Sequence, residues 1–228
     1  MPFVIPQDDK RTTLVGKTGS GKTQAGIWQL SERSIDLMPW YILDFKRDKL
    51  INQIPYLQES TLENPIASQP GVYIVHPLPD DTEAVEAFLW KLWAHENVGL
   101  FIDEGYMLGN SPAFRALLTQ GRSKNIPLIV LSQRPVWISR FAFSEADYFQ
   151  VFWLNDARDR KTIQSFIPFD LEKRLPAYYS VWYDIGADET LILKPVPSRR
   201  EILNRFSQRL APVVETAQKN TKPRIRAI

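Results

Sequence analysis

The chain has 228 residues, 44% of them hydrophobic and 24% charged, with a formal net charge of +2; that is enough to bury a core unaided, and it excludes global disorder. It has no cysteine, which excludes disulfides, thiolate zinc sites, iron–sulfur clusters and cysteine nucleophiles, and only two histidines, His76 and His95, which argues against a histidine-rich metal site. No apolar run reaches the about 18 residues of a membrane span, and Met1-Pro2-Phe3-Val4 does not begin a signal peptide.

In chain order, residues 12–15 are a short apolar β-type run, followed by Gly16-Lys17-Thr18-Gly19-Ser20-Gly21-Lys22-Thr23 and a helical stretch through about residue 34. Residues 40–43 form a second strand ending at Asp44, and 72–75 a third. Residues 59–70 are loop-like. Asp80-Asp81-Thr82 opens a helix with Val85, Phe88, Leu89 and Leu92 on one face. Residues 98–102 are unbroken apolar and predict a strand buried on both faces. Ser111-Pro112 reads as the cap and first turn of a helix through about residue 119. Residues 126–131 and 148–154 are two more strands, and 178–184 with 190–193 an antiparallel pair. A last helix covers 199–210, and 219–228 are loop-like. Strands alternating with helices predict an α/β fold: a mainly parallel central sheet flanked by helices, with a small antiparallel C-terminal addition. We read residues 1–210 as a single domain and 211–228 as a basic tail.

Charge is unevenly spread. From residue 199 onward there are eight Lys or Arg against two acids, Glu201 and Glu215, so this segment carries +6 and the residues before it −4. Lys219, Lys222, Arg224 and Arg226 suit a contact with nucleic acid or an acidic protein surface; a solvated chain end accounts for them equally well.

The spacing Gly16-x-x-x-x-Gly21-Lys22-Thr23 is the P-loop pattern. Its glycines let successive N–H groups converge on phosphates, and the helix that follows adds its dipole. Residues 16–23 are therefore the expected nucleotide-binding loop, with Lys22 on the β- and γ-phosphates and the Thr23 hydroxyl on Mg²⁺. Leu100-Phe101-Ile102-Asp103-Glu104 brings two carboxylates to the carboxyl edge of the sheet, where α/β folds bind ligands. Asp103 is the expected second Mg²⁺ ligand, and Glu104 the base that polarises the attacking water. Gln133, in Ser132-Gln133-Arg134-Pro135, is placed to contact the γ-phosphate or that water. ATP and Mg²⁺ are the ligands this pattern implies.

Taken together, these motifs, with Ile42-Leu43-Asp44-Phe45-Lys46 and Gly121-Arg122-x-x-x-Ile126-Pro127-Leu128, resemble the FtsK–HerA superfamily of DNA-pumping ATPases over residues 11–155. Within it the chain is most similar to the small genome-packaging ATPases of membrane-containing icosahedral viruses. Phe45 and Arg47 depart from the superfamily's usual Pro-Lys-Gly wording. The resemblance implies a RecA-like P-loop fold of the ASCE type and a motor that hydrolyses ATP to move double-stranded DNA into a capsid. It implies a homo-oligomeric ring, usually a hexamer, with an arginine reaching the neighbour's γ-phosphate. Arg122 matches the family's position, with Arg115 and Arg134 as alternatives. Lys46, Arg47, Lys49, Trp137 and Arg140 are candidate pore residues. The implied partners are double-stranded DNA and a capsid or portal vertex protein, and the implied location is the host cytoplasm or the virion vertex. Two other readings are an assembly ATPase that extrudes phage particles and a nucleotide-gated adaptor without motor activity. Glu104 argues against the adaptor, because a switch needs no water-activating carboxylate.

Overall fold

The computed structural model describes residues 7–221, with side chains through residue 216. In chain order it contains β1 (Thr12–Val15), α1 (Lys22–Ser31), β2 (Pro39–Asp44), β3 (Gln58–Glu59), β4 (Gly71–Val75), α2 (Thr82–His95) and β5 (Gly99–Asp103). Then come α3 (Pro112–Gln120), β6 (Leu128–Ser132), α4 (Phe141–Ser144), β7 (Tyr148–Val151), α5 (Ala157–Gln164), β8 (Ser180–Asp184), β9 (Glu189–Leu193) and α6 (Arg199–Thr221).

All nine strands join one sheet in the order β3-β4-β2-β5-β6-β1-β7-β8-β9. Neighbours from β3 through β7 pair in parallel, whereas β8 and β9 are antiparallel additions at one edge. This is the expected α/β architecture. Every residue of β1, β2, β4, β5, β6 and β7 is buried, which explains their continuous apolar runs: helices cover both faces of a parallel sheet. On one face α2 and α3 contribute Phe88, Leu89, Leu92, Phe114 and Leu117 to the core. On the other, α1 contributes Ile27 and Leu30, and α6 contributes Ile202, Phe206 and Leu210.

Topology sets the site. β6 lies between β1 and β5, so the loops after β1, β6 and β5 stand side by side at the carboxyl edge. This inserted strand is the arrangement the RecA-like reading requires. Val15 pairs with Ser132, and Asp103 pairs with Asp44.

Three elements were not anticipated. β3 has two residues and straddles the start of the segment expected to be loop. α4 and α5 are short, and of α5 only Asp159 and Ile163 are buried, so no apolar stripe marks it. Its signal is the cap: Asp156 accepts hydrogen bonds from the N–H groups of Arg158 and Asp159. The last helix runs past 210 to Thr221, with Pro212 inside it. The donor that Pro212 lacks would have served a carbonyl one turn back, and Pro212 is exposed, where water can substitute. Arg205 pairs with Glu32 at 2.8 Å, and Arg209 bonds the carbonyls of Ser31 and Arg33 and the carboxylate of Asp36. Two cations of the basic segment therefore clamp α6 to the end of α1. The Lys219 side chain and residues 222–228 lie outside the described residues.

Candidate active site

The P-loop is tied to both neighbouring strands. The Gly16 N–H donates to Ser132 O at 3.2 Å and the Lys17 N–H to Trp153 O at 2.9 Å. A Cβ on Gly16 would lie 2.6 Å from Phe152 Cβ, so only glycine fits where the loop leaves the sheet. Gly21 caps α1 at φ 96, in the left-handed region, and no side chain fills the cap. The first turn of α1 contains no acid. Its first N–H groups are therefore left without an anionic side chain of that turn, as an anion site requires.

Glu104 is fully buried where the loops after β1, β5 and β6 meet. The Lys22 ammonium donates to Glu104 Oε1 at 3.2 Å and lies 3.9 Å from Asp103 Oδ1. The Gln133 N–H donates to Glu104 Oε2 at 3.1 Å. Lys46 also hydrogen-bonds Glu104 Oε1. Lys46, a candidate pore residue on sequence grounds, is thereby drawn into the site. Its loop is organised by the buried Asp44 carboxylate, which accepts from the N–H groups of Lys46 at 3.2 Å and Asp48 at 2.9 Å. Glu104 itself sits at φ 67, a conformation that costs a non-glycine residue on the order of 1–3 kcal/mol and concentrates at functional sites.

Asp103 is 1% exposed, and neither carboxylate oxygen has a hydrogen-bond partner among the described residues. Burial, opposed by Lys22, pushes its carboxyl up to about 6. A buried carboxylate without donors fits a cation, and Thr23, in the first turn of α1, carries a hydroxyl on the wall of the adjoining cavity. These residues therefore fit Mg²⁺ shared with phosphate oxygens. Because the folded-state value is raised, stability from this group is present below about pH 4 and is lost as pH rises through 6. The loss is about 3 kcal/mol. Asp103→Asn, melted without ATP or Mg²⁺, should match the native chain at pH 4 and exceed it by about 6–12 °C at pH 8. An offset that does not vary with pH would exclude this cause.

Gln133 reaches the P-loop: the Thr18 hydroxyl donates to its Oε1 at 2.5 Å. The three arginines are in different positions. Arg134 is held within the chain by Asp159 at 3.3 Å and Asp156 at 3.6 Å and stacks on Trp137 at 4.3 Å. Arg115 is exposed on α3. Arg122 is exposed in a single turn (Gly121–Lys124) before β6, at the amino edge and opposite the P-loop. Among the pore candidates, Trp137 is 58% exposed, and Arg140 stacks over Phe166 at 5.3 Å.

Lys17, Lys22, Lys46 and Glu104 line a cavity of about 340 Å³ whose wall also includes Tyr178 and Arg199. The sequence reading missed Tyr178 and Arg199, because neither belongs to a motif.

No family model matches the sequence. The chain is 46% identical to the DNA packaging ATPase P9 of Enterobacteria phage PRD1, over 90% of this chain and 96% of that one. Its fold is similar to the genome packaging NTPase B204 of Sulfolobus turreted icosahedral virus 2 in complex with ATP-gammaS. That match has a TM-score of 0.67 at 21% identity and covers 84% of this chain and all of B204. VirB4 of Thermoanaerobacter pseudethanolicus shares the fold at a TM-score of 0.62 and 10% identity, over 84% of this chain and 90% of that one. With a relative of that identity spanning nearly its whole length, the chain belongs to the family of viral DNA packaging ATPases.

Proposed function

We propose that this chain hydrolyses ATP to drive double-stranded DNA into a viral capsid. The observation that carries the reading is the buried Glu104 carboxylate, held between Lys22 and the Gln133 N–H at the mouth of the P-loop. The N–H groups of residues 16–23 and Lys22 hold the phosphates. Thr23 and Asp103 hold Mg²⁺, which when bound neutralises charge on the phosphate oxygens. A triphosphate draws Lys22 from Glu104, and Glu104 then accepts the proton of the attacking water. Gln133, already against Thr18, orients that water or the γ-phosphate. Copies of the chain form a ring, a hexamer as in the superfamily, in which Arg122 of one copy serves the site of the next. Residues 1–210 act as the motor domain and 211–228 as a basic tail.

DNA passes along the ring axis, where Arg47, Lys49, Trp137 and Arg140 meet phosphates without reading bases, since a packaging motor must accept any sequence. A capsid or portal vertex protein is the docking partner, and the motor works in the host cytoplasm or at the virion vertex. Among the described residues no helix is long and apolar enough to cross a membrane, so nothing there favours a membrane-bound extrusion ATPase. The test is ATP turnover with and without long duplex DNA. The motor is expected to turn over ATP and to accelerate with DNA. Binding without turnover under both conditions would favour the adaptor.

A further inference from the structure

We infer that Tyr178 is the platform on which the base of the nucleotide stacks. The inference rests on the P-loop holding the phosphates, as proposed above. Around the site the sheet runs β5-β6-β1-β7-β8. Glu104 follows β5 and Gln133 follows β6, so the γ-phosphate end of a nucleotide on the loop after β1 faces that side. Its sugar and base must extend the other way, across β7 toward β8.

Tyr178 stands there, two residues before β8. Its ring lies against the P-loop: a Cβ added to Gly21 would be 3.2 Å from Tyr178 Cδ1. Tyr178 is nevertheless 58% exposed, which leaves room for a second ring to lie on it. Its backbone has φ 65, a conformation that a bulky residue rarely adopts. Tyr178 and Arg199 line the same cavity as Lys46 and Glu104. The wall they form is fixed relative to the P-loop, because Gln24 Nε2 on α1 donates to Pro197 O at 2.8 Å, just before α6. The phosphate end of the cavity is cationic and acidic; the other end offers an aromatic face and a guanidinium, the groups that hold a planar base. Stacking does not depend on which edge groups a base carries, so the subsite takes nucleoside triphosphates as a class rather than one base.

The test compares ATP with inorganic tripolyphosphate, which has no base, by calorimetric titration of the full chain. Tyr178→Ala is expected to weaken ATP about 5- to 150-fold and to leave tripolyphosphate within about twofold. Tyr178→Phe is expected to keep native ATP affinity, which shows that an aromatic ring is what matters. Native ATP affinity in Tyr178→Ala would overturn the inference, and so would an equal loss of both ligands, which would mean that Tyr178 shapes the loop. Lys22→Ala separates this from failure of the P-loop reading: it should lose both ligands. If it binds both normally, the P-loop does not hold the phosphates and the base subsite falls with it.

Discussion

Replacing Arg122 by alanine is expected to leave ATP binding near native while slowing hydrolysis about 10³- to 10⁵-fold, the range attributed to arginine fingers. Arg122 precedes β6 at the amino edge of the sheet, and Gln133 follows β6 at the carboxyl edge beside the P-loop. The intervening strand alone spans about 16 Å, more than an arginine side chain can reach. Within its own copy Arg122 cannot touch the phosphates, so any role in hydrolysis must be played in a neighbour. Its exposure leaves it available for that role. Arg134 is the better connected arginine, but its pairing with Asp159 and its stacking on Trp137 hold it within its own copy. Weakened ATP binding by Arg122→Ala, measured by titration, would mean that the residue supports the fold or the ground state instead.

Glu104→Gln is expected to bind ATP with Mg²⁺ at least as tightly as the native chain and to turn it over about 10²- to 10⁴-fold more slowly. The amide keeps the shape and can still accept from the Gln133 N–H, but it cannot take a proton from water. It also removes the anion that competes with phosphate for Lys22 and Lys46, which is why binding should not suffer. Single-turnover hydrolysis separates the two effects. Near-native turnover would remove Glu104 from the catalytic role.

Much of the site was legible because its signals are local. The P-loop spacing, the strand before it and the helix after it occupy one short stretch, and residues 98–102 announce a buried strand that ends in Asp103 and Glu104. The helix read from Val85, Phe88, Leu89 and Leu92 buries those four residues. What escaped depends on distance or on weak patterning. Lys46 meets Glu104 across 58 positions of sequence, and no spacing rule joins them. Tyr178 reaches Gly21 only because the sheet order sets β8 two strands from β1. α5 has almost no apolar face to betray it, and α6 continues past Pro212, beyond its buried stripe of Ile202, Phe206 and Leu210.

The central claim, a hydrolytic site shared between copies, is tested most directly by mixing Arg122→Ala with Glu104→Gln and measuring ATP turnover. Each variant alone should be inactive. In mixed rings some sites join an intact Glu104 from an Arg122→Ala copy to an intact Arg122 from a Glu104→Gln neighbour, so the mixture should regain turnover. Titrating each variant into native chain shows whether sites act independently: activity then falls in proportion to the variant fraction, and more steeply if every site must be intact. A mixture that co-assembles and stays inactive, in rings whose sites titrate independently, would contradict the shared site.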